Sequence, residues 1–290
     1  MVDLWRVDFH PQGKTLHDRS SDMSMFAETP GVQFLKQDPE PFRILPLTGQ
    51  GRNNNLYAYF KLPSILGYHP AKLKIYQDLI DDQGPAGVSK SLSQGNFNIV
   101  NMLNMKYVIS DQELPIPPLR TVHRSNEFVM ENTAVLPRMW FVDRTRVVSD
   151  PEQHLRAVAD PAWQPAEEAL LFEPVGASDP GAGGSAQLTF SSPRELRAEV
   201  NSPGNALLVI SEIYYDAGWK AWIDDQPVEI HRANYVLRAV EVPPGQHTLR
   251  MRFDPGSFRN GALLSLAAYG LILLGLCVSV VLDRRRTAAA

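Results

Sequence analysis

A short segment near the C-terminus gathers aromatic, amide and basic side chains of the kind that bind sugars and phosphates. Sugar rings stack on aromatic faces, and hydroxyl and phosphate oxygens need hydrogen-bond donors. The segment therefore predicts a binding surface made of Trp219, Trp222, Arg232, Asn234, Tyr235 and Arg238. A structural role also explains these residues. In that case Trp219 and Tyr235 would fill a core, while Arg232 and Arg238 would pair with neighbouring carboxylates at its rim.

A second candidate is the turn Gly67-Tyr68-His69-Pro70, which precedes a predicted helix. A glycine-containing turn in that position can present Tyr68, His69 and free backbone N–H groups to an anion. Pro70 near the first helical turn also suits plain helix entry without a ligand. Both interpretations of the turn stay open from the sequence.

No motif in the sequence predicts catalysis, a metal or a cofactor. The chain has no GxSxG, HExxH or P-loop pattern, and its seven histidines stand singly, without a second ligand at metal-binding spacing. The only cysteine, Cys277, lies in an apolar stretch, so it cannot act as an exposed nucleophile or form an intrachain disulfide. We therefore expect no catalytic residues, no metal site and no cofactor.

The elements that hold the tryptophan segment are predicted to be short strands. Seven segments after residue 185 alternate apolar and polar residues and are separated by SP, SPGN, DD and PPGQ, which predicts an antiparallel β-sandwich over residues 185–256. Within it, Trp219, Ala221 and Ile223 share one face, and the following DDQ predicts a hairpin turn. The run SDPGAGGS at residues 178–185 predicts a linker and a domain boundary.

The first part of the chain gives mixed signals. Residues 1–40 are polar and broken by prolines, which predicts an extended lead-in with at most one short helix near residues 32–37. Residues 41–177 predict an α+β domain with helices at residues 71–80 and 96–104, and strands at residues 41–47, 106–110 and, in four short segments, 119–148. The expected fold class is α+β and mainly β.

One stretch is apolar enough to cross a membrane. Residues 261–282 run without a charge and span about 33 Å as a helix, whereas a buried helix of a soluble protein seldom runs so long uncharged. The cluster Arg284-Arg285-Arg286 follows and predicts a cytoplasmic tail at residues 283–290, with the N-terminal body outside the bacterial cytoplasmic membrane. No signal peptide is visible near Met1, so we expect an upstream membrane segment or an unconventional export route.

The charge balance argues against one class of partner. The formal net charge is −4, no basic stripe is present, and nucleic-acid binding therefore has no electrostatic support.

Residues 215–258, YDAGWKAWIDDQPVEIHRANYVLRAVEVPPGQHTLRMRFDPGSF, resemble the C-terminal region of the YfhO family of bacterial membrane proteins. Other pieces agree in order: DLW at residues 3–5, QFLKQDPEPFRILP at 33–46, GYHPAKLKIYQDL at 67–79 and NMLNMKYVIS at 101–110. The resemblance covers nearly the whole chain.

Members of that family look like GT-C glycosyltransferases, which move a sugar from a polyprenyl-phosphate carrier to an acceptor outside the cytoplasmic membrane. The membrane helices that precede DLW in the family are absent, and with them the early loop where such enzymes carry catalytic acidic residues. The resemblance thus implies a truncated fragment that is inactive alone. Its implied partners are the bilayer, the upstream transmembrane domain, a polyprenyl-phosphate-linked sugar and a glycan acceptor.

Three functions remain to be distinguished. The chain could be the extracytoplasmic module of a sugar transferase, or a membrane-anchored carbohydrate-binding or scaffolding module without catalytic activity. A third possibility is a purely structural role. An in-frame run of hydrophobic segments upstream would favour the transferase.

Overall fold

The computed structural model describes residues 26–48, 55–67, 71–177, 179–181 and 183–288, with side chains as far as residue 279. These residues form seven helices: α1 (Pro30–Leu35), α2 (Leu56–Tyr59), α3 (Lys74–Ile80), α4 (Val88–Ser93), α5 (Asn98–Met102), α6 (Pro151–Val158) and α7 (Gly256–Ala288). Helix α1 lies where the sequence predicts one short helix, and most of the predicted lead-in falls outside the described residues.

Fifteen strands accompany the helices in the described part. They are β1 (Arg43–Pro46), β2 (Met105–Ser110), β3 (Leu119–Arg124), β4 (Phe128–Asn132), β5 (Met139–Phe141), β6 (Arg144–Val147), β7 (Glu168–Leu171), β8 (Ser185–Ser192), β9 (Glu195–Ser202), β10 (Ala206–Ile213), β11 (Trp219–Ile223), β12 (Gln226–Val228), β13 (His231–Ala233), β14 (Leu237–Val242) and β15 (Gly245–Phe253). The α+β, mainly antiparallel fold class predicted from the sequence is confirmed.

The first sheet has the order β1-β2-β4-β3, with β1 parallel to β2 and the other pairs antiparallel. Strand β2 is buried on both faces: Tyr107 and Ile109 pack with α1, and Val108 packs on the opposite side. A strand covered on both faces needs a nearly continuous apolar run, which the sequence MKYVIS supplies.

Two further sheets form a sandwich. One has the order β5-β10-β14-β13-β7-β6 and the other β12-β11-β15-β9-β8. Their facing side chains alternate along the strands, as in Leu208 and Ile210 of β10 against Leu249 and Met251 of β15. The opposite face of β10, with Leu207 and Val209, belongs to the core shared with α5 and β2. The six-stranded sheet is therefore a middle layer.

Strand pairing differs from the sequence prediction in two respects, and the first concerns which strands form the sandwich. The sequence predicts a sandwich made of residues 185–256 alone, but the six-stranded sheet also includes β5, β6 and β7. Strands from the two sides of residues 178–185 pair directly, with Trp140 opposite Val209 and Leu171 opposite Ala233. Alternating residues predict that a segment is a strand, but they do not identify a partner far away in the chain.

A second difference concerns the fifth of the seven segments that the sequence predicts as strands, PVEIHR at residues 227–232. The structure divides them into β12, which pairs with β11, and β13, which pairs with β14 in the other sheet. The chain thus crosses between the two layers of the sandwich at Glu229 and Ile230. The predicted hairpin of β11 and β12 is confirmed, and its turn residues Asp224 and Asp225 have φ values of 49° and 66°.

Helix α7 contains residues 256–279, which form the one helix in the described part that is long and apolar enough to cross a membrane. None of these residues is buried against the rest of the described protein. The helix begins three residues after β15 ends, so the sandwich is attached to it with almost no slack.

Candidate functional site

A cleft of about 290 Å³ opens beside β11, at the end of the five-stranded sheet that leads into α7. Ten residues line it: four aromatic, four aliphatic or proline, one acidic and one basic, namely Tyr214, Tyr215, Trp219, Trp222, Ala221, Pro227, Val228, Ile230, Asp216 and Lys220. Strand pairing fixes its place, because Trp219 lies opposite Phe253 and Phe253 ends the strand before α7. The cleft therefore lies at the α7 end of the sandwich.

Trp219 is backed by a buried charge. The guanidinium carbon of Arg238 lies 3.8 Å from the Trp219 ring centroid, and Arg238 itself is only 4% exposed. Its Nε and Nη2 donate hydrogen bonds of 3.0 and 2.9 Å to the carbonyl of Ile213, whereas Nη1 has no partner. Burial lowers the pKa of Arg238 to about 10, so it stays positively charged at neutral pH. The indole covers this cation.

The loop before β11 is tied to the segment that becomes α7. The backbone N–H of Asp254 donates to the carbonyl of Gly218 at 2.7 Å, and Lys220 Nζ lies 2.9 Å from Asp254 Oδ2. The hydrogen bond from Lys220 lowers the pKa of the Asp254 carboxyl. Gly218 has φ +114°, and a Cβ there would lie 2.9 Å from the Cα of Pro255. Glycine thus allows the close approach.

Trp222 lies on the other face of β11 from Ala221 and Ile223, as the predicted alternation requires. The guanidinium carbon of Arg250, its cross-strand neighbour, lies 4.8 Å from the Trp222 ring centroid. Trp222 also borders the cleft, next to Pro227 on the edge strand β12. Its ring therefore joins the cleft to the outer face of the five-stranded sheet.

Three predicted site residues lie in a different cluster, around the turn between β13 and β14. Arg232 stacks over Phe172 and over Tyr235, with its guanidinium carbon 4.3 and 4.7 Å from the ring centroids. Asn234 is fully buried with φ 48°, and its side-chain oxygen accepts a 2.9 Å hydrogen bond from the N–H of Leu170. Asn234 thus joins this turn to β7.

His154 of α6 completes that cluster, and sequence reasoning missed it because an isolated histidine on a helix carries no signal. Its Nε2 accepts a 3.1 Å hydrogen bond from the N–H of Tyr235, so the proton resides on Nδ1, which donates to the carbonyl of Val148 at 2.9 Å. His154 is fully buried, and burial lowers its pKa to about 4. It supports the turn as a neutral ring.

The middle layer is joined to the first sheet by Arg43, which was also missed. Its Nη1 donates to the carbonyl of Leu103 at 2.8 Å and to Ser211 Oγ at 2.9 Å, and its Nη2 donates to the carbonyl of Ser211 at 2.8 Å. Ser211 lies in an irregularity of β10 between Ile210 and Ile213. We call these hydrogen bonds from Arg43 to Leu103 and Ser211 the Arg43 joint. The carbonyl of Ile213, two residues after Ser211, accepts the hydrogen bonds of Arg238, so the joint lies next to the residue that positions Arg238 behind Trp219.

The structure thus separates the predicted residues. Trp219 and Trp222 border the cleft with Arg238 behind, whereas Arg232, Asn234 and Tyr235 form the turn cluster. The structural alternative placed both Trp219 and Tyr235 in the sandwich core, but only Trp219 packs against that core, whereas Tyr235 belongs to the core shared with the helices. Arg232 and Arg238 donate to the backbone carbonyls of Tyr235 and Ile213. Sequence reasoning missed Tyr214 and Tyr215, although adjacent tyrosines at a strand end were a usable signal. Tyr68 and His69 lie outside the described residues.

No group of three His, Cys, Asp or Glu side chains within the described ranges could hold a metal ion. What the cleft can do chemically follows from its walls. Aromatic faces can stack on a sugar ring, while Lys220 and Asp216 offer a cationic donor and an acceptor to its hydroxyl or phosphate substituents.

Comparison with known families gives one match. Residues 183–265 match the family described as bacterial membrane protein YfhO. This confirms the predicted resemblance over those residues, which contain the cleft and the first turns of α7. No curated protein and no solved structure matches the chain. The match covers residues 183–265 alone, and the apolar helix that begins within them is long enough to anchor the chain in a membrane.

Proposed function

We propose that this chain is the extracytoplasmic module of a membrane protein that transfers sugars from a polyprenyl-phosphate carrier to a cell-envelope acceptor. The module holds the sugar of the carrier in the aromatic cleft beside α7. The catalytic groups belong to membrane helices other than α7, as the family resemblance implies, and the module positions the substrate.

The observation that carries this proposal is the attachment of the cleft to the membrane helix. Lys220 of the cleft and Gly218, which directly precedes Trp219, are both hydrogen-bonded to Asp254, and α7 begins at Gly256. A sugar linked to a lipid by one phosphate remains close to the headgroup layer. An aromatic cleft fixed next to a membrane-spanning helix is therefore within reach of such a sugar.

The charge distribution favours the same ligand. Lys220 borders the cleft and Arg238 lies behind Trp219, so two cations neighbour the stacking surface. A phosphate between lipid and sugar is stabilised by nearby positive charge. Asp216, which also borders the cleft, is an acceptor for sugar hydroxyls.

The proposed orientation rests on the tail of α7. The sequence Arg284-Arg285-Arg286 follows the apolar part of the helix, and arginines next to a membrane span are retained in the cytoplasm. The sandwich, at the other end of α7, is then extracytoplasmic. A reporter fused near the N-terminus should be accessible only from outside the cell.

Photocrosslinking tests the ligand. The photoreactive residue p-benzoylphenylalanine replaces Tyr215, which is 42% exposed at the cleft, or Val147, which is 47% exposed on β6 and serves as the matched control. The full chain is embedded in vesicles that contain ³²P-labelled polyprenyl-phosphate glucose or polyprenyl-phosphate N-acetylglucosamine. We expect one carrier to label position 215 at least several-fold more than position 147, and unlabelled carrier to compete.

Two results would overturn the proposal. Equal labelling at both positions would mean that the cleft does not select the carrier. Competition by phosphatidylglycerol as strong as by the carrier would leave the aromatic side chains as anchors at the membrane interface, a common role for Trp and Tyr.

A further inference from the structure

A second cleft, of about 470 Å³, lies on the outer face of the five-stranded sheet. Its walls are polar rather than aromatic. Three amides and two carboxylates border it, namely Gln187, Asn201, Gln246, Glu199 and Asp224. This polar cleft has no part in the aromatic cleft described above, because the two have no lining residue in common.

Strand register places the polar side chains together. Glu199 of β9 is paired with Gln187 of β8 on one side and with Thr248 of β15 on the other. Two residues away, Asn201 is paired in the same way with Ser185 and Gln246. Because side chains two residues apart share a face, these two rows form one continuous polar surface.

One corner of the polar cleft is fixed in place by hydrogen bonds. Asp224 Oδ1 accepts a 2.8 Å bond from the N–H of Thr248, and Asp224 Oδ2 lies 2.6 Å from Nδ1 of His247. The other ring nitrogen of His247 lies 3.3 Å from the carbonyl of Pro244. A carboxylate and an imidazole held in this way are ordered before a ligand arrives, which lowers the entropic cost of binding.

The polar cleft lies far from the membrane helix. Gln246 stands near the start of β15 and Phe253 ends that strand, seven residues later, beside the aromatic cleft. At about 3.3 Å per residue the two ends are separated by about 23 Å. A chain of several sugars can span this distance, whereas a single sugar cannot.

We propose that the polar cleft binds a neutral oligosaccharide chain. Amides supply both donors and acceptors, as neighbouring sugar hydroxyls require, and the carboxylates of Glu199 and Asp224 accept hydrogen bonds from further hydroxyls. The carboxylate of Glu199 repels a polyanion such as poly(glycerol phosphate), whereas Asp224 is hydrogen-bonded to His247. The assignment of this oligosaccharide as the acceptor glycan rests on the proposed function, but its binding does not.

Calorimetry on the full chain in lipid nanodiscs tests the site with chitotetraose, cellotetraose and maltotetraose. We expect one of these neutral probes to bind with a Kd below about 1 mM. The double variant Gln187→Ala/Asn201→Ala removes two amides and with them at least two hydrogen bonds, and should weaken binding about thirtyfold, which corresponds to about 2 kcal/mol. Gln153→Ala, an exposed amide on α6, is the matched control and should bind as the wild type does.

Any of three results would overturn the proposal: no binding of the neutral probes, unchanged binding by the double variant, or binding of poly(glycerol phosphate) in their place. Both substituted side chains are exposed, so the variants should unfold at the wild-type temperature, which the same samples can verify. If the oligosaccharides do not bind, the carrier can still label position 215. If the carrier does not label position 215, the oligosaccharides can still bind the polar cleft. The two proposals are thus tested separately.

Discussion

The guanidinium of Arg238 stacks on the indole of Trp219, with 3.8 Å between the guanidinium carbon and the ring centroid. This pair connects the core of the sandwich to the aromatic cleft, because Arg238 is buried in β14 while Trp219 forms a cleft wall. A buried cation with one unpartnered nitrogen depends on the ring for cover.

Removal of that cover should affect both stability and ligand capture. Trp219→Ala is expected to lower the free energy of unfolding by about 3 kcal/mol, because it leaves a cavity over a buried charge. Trp219→Phe keeps an aromatic face and should lose about 1 kcal/mol. Denaturant unfolding of the chain in detergent measures both. Labelling of the photoreactive residue at position 215 by the carrier should disappear in Trp219→Ala and persist in Trp219→Phe.

Trp222→Ala provides the comparison, since Trp222 stacks on Arg250, which is much more exposed than Arg238. A loss of stability equal to that of Trp219→Ala would contradict a special role for the buried pair.

Gly218 couples the cleft to α7 through a close approach that only glycine allows. Gly218→Ala adds a Cβ 2.9 Å from Pro255 at φ +114°, so backbone strain and a clash with a rigid ring act together. We expect a loss of about 2–3 kcal/mol in the free energy of unfolding and weaker carrier labelling at Tyr215. Urea titration measures the first effect.

Gly95→Ala is the control for backbone strain without a steric clash, because Gly95 has φ +74° but nothing within 4 Å of an added Cβ. This variant should lower the free energy of unfolding by about 1 kcal/mol and leave carrier labelling at position 215 unchanged. Equal costs for the two variants would mean that contact with Pro255 contributes nothing.

Local sequence patterns predicted much of the sandwich. Alternation in β11 and turn residues at Asp224 and Asp225 define a hairpin within ten residues, so neighbouring positions contain the whole signal. Trp219 and Trp222 were grouped from the sequence for the same reason, since they belong to one strand, and both border the aromatic cleft. The inclusion of β5, β6 and β7 was not predicted, because sheet partners far apart in the chain leave no trace in either segment.

Arg43 and His154 were missed for the same physical reason. Arg43 reaches Ser211, 168 positions later, and His154 reaches Tyr235, 81 positions later. Neither residue type nor spacing indicates such contacts. Arg232 and Tyr235 were grouped with the tryptophans because they are close in sequence, yet the crossing at Glu229 and Ile230 carries them into the other sheet.

The Arg43 joint should contribute strongly to stability. Arg43→Met removes three hydrogen bonds to two backbone carbonyls and to Ser211, and takes away a nearby cation from Glu212, which is 3.6 Å distant. We expect a loss of about 3–4 kcal/mol, because buried acceptors are left unpaired. Thermal or urea unfolding reports this loss.

Arg120→Met is the matched control. Arg120 pairs with Glu131 at 2.6 Å, but its side chain is 70% exposed, against 11% for Arg43. An exposed pair contributes about 1 kcal/mol or less. A similar cost for both variants would show that burial of the Arg43 joint has no energetic consequence.

The buried neutral ring of His154 should make the fold sensitive to mild acid. Its pKa in the folded chain is about 4, against 6.5 for an unperturbed histidine, so the unfolded chain binds the proton first as the pH falls. The stabilisation is complete above about pH 6.5 and is lost progressively towards pH 4. Between pH 7 and pH 5 we expect the free energy of unfolding to fall by about 2 kcal/mol through this residue.

His154→Gln should be less stable at pH 7, because glutamine cannot replace both ring hydrogen bonds. Its free energy of unfolding should not show this decrease of about 2 kcal/mol between pH 7 and pH 5. His247 works in the opposite sense, since its hydrogen bond to Asp224 raises its pKa, and that contribution is lost as the pH rises. The His154 effect must therefore be measured as the difference between wild type and variant over the pH range. A difference that stays constant from pH 7 to pH 5 would mean that His154 is not the residue whose protonation destabilises the fold.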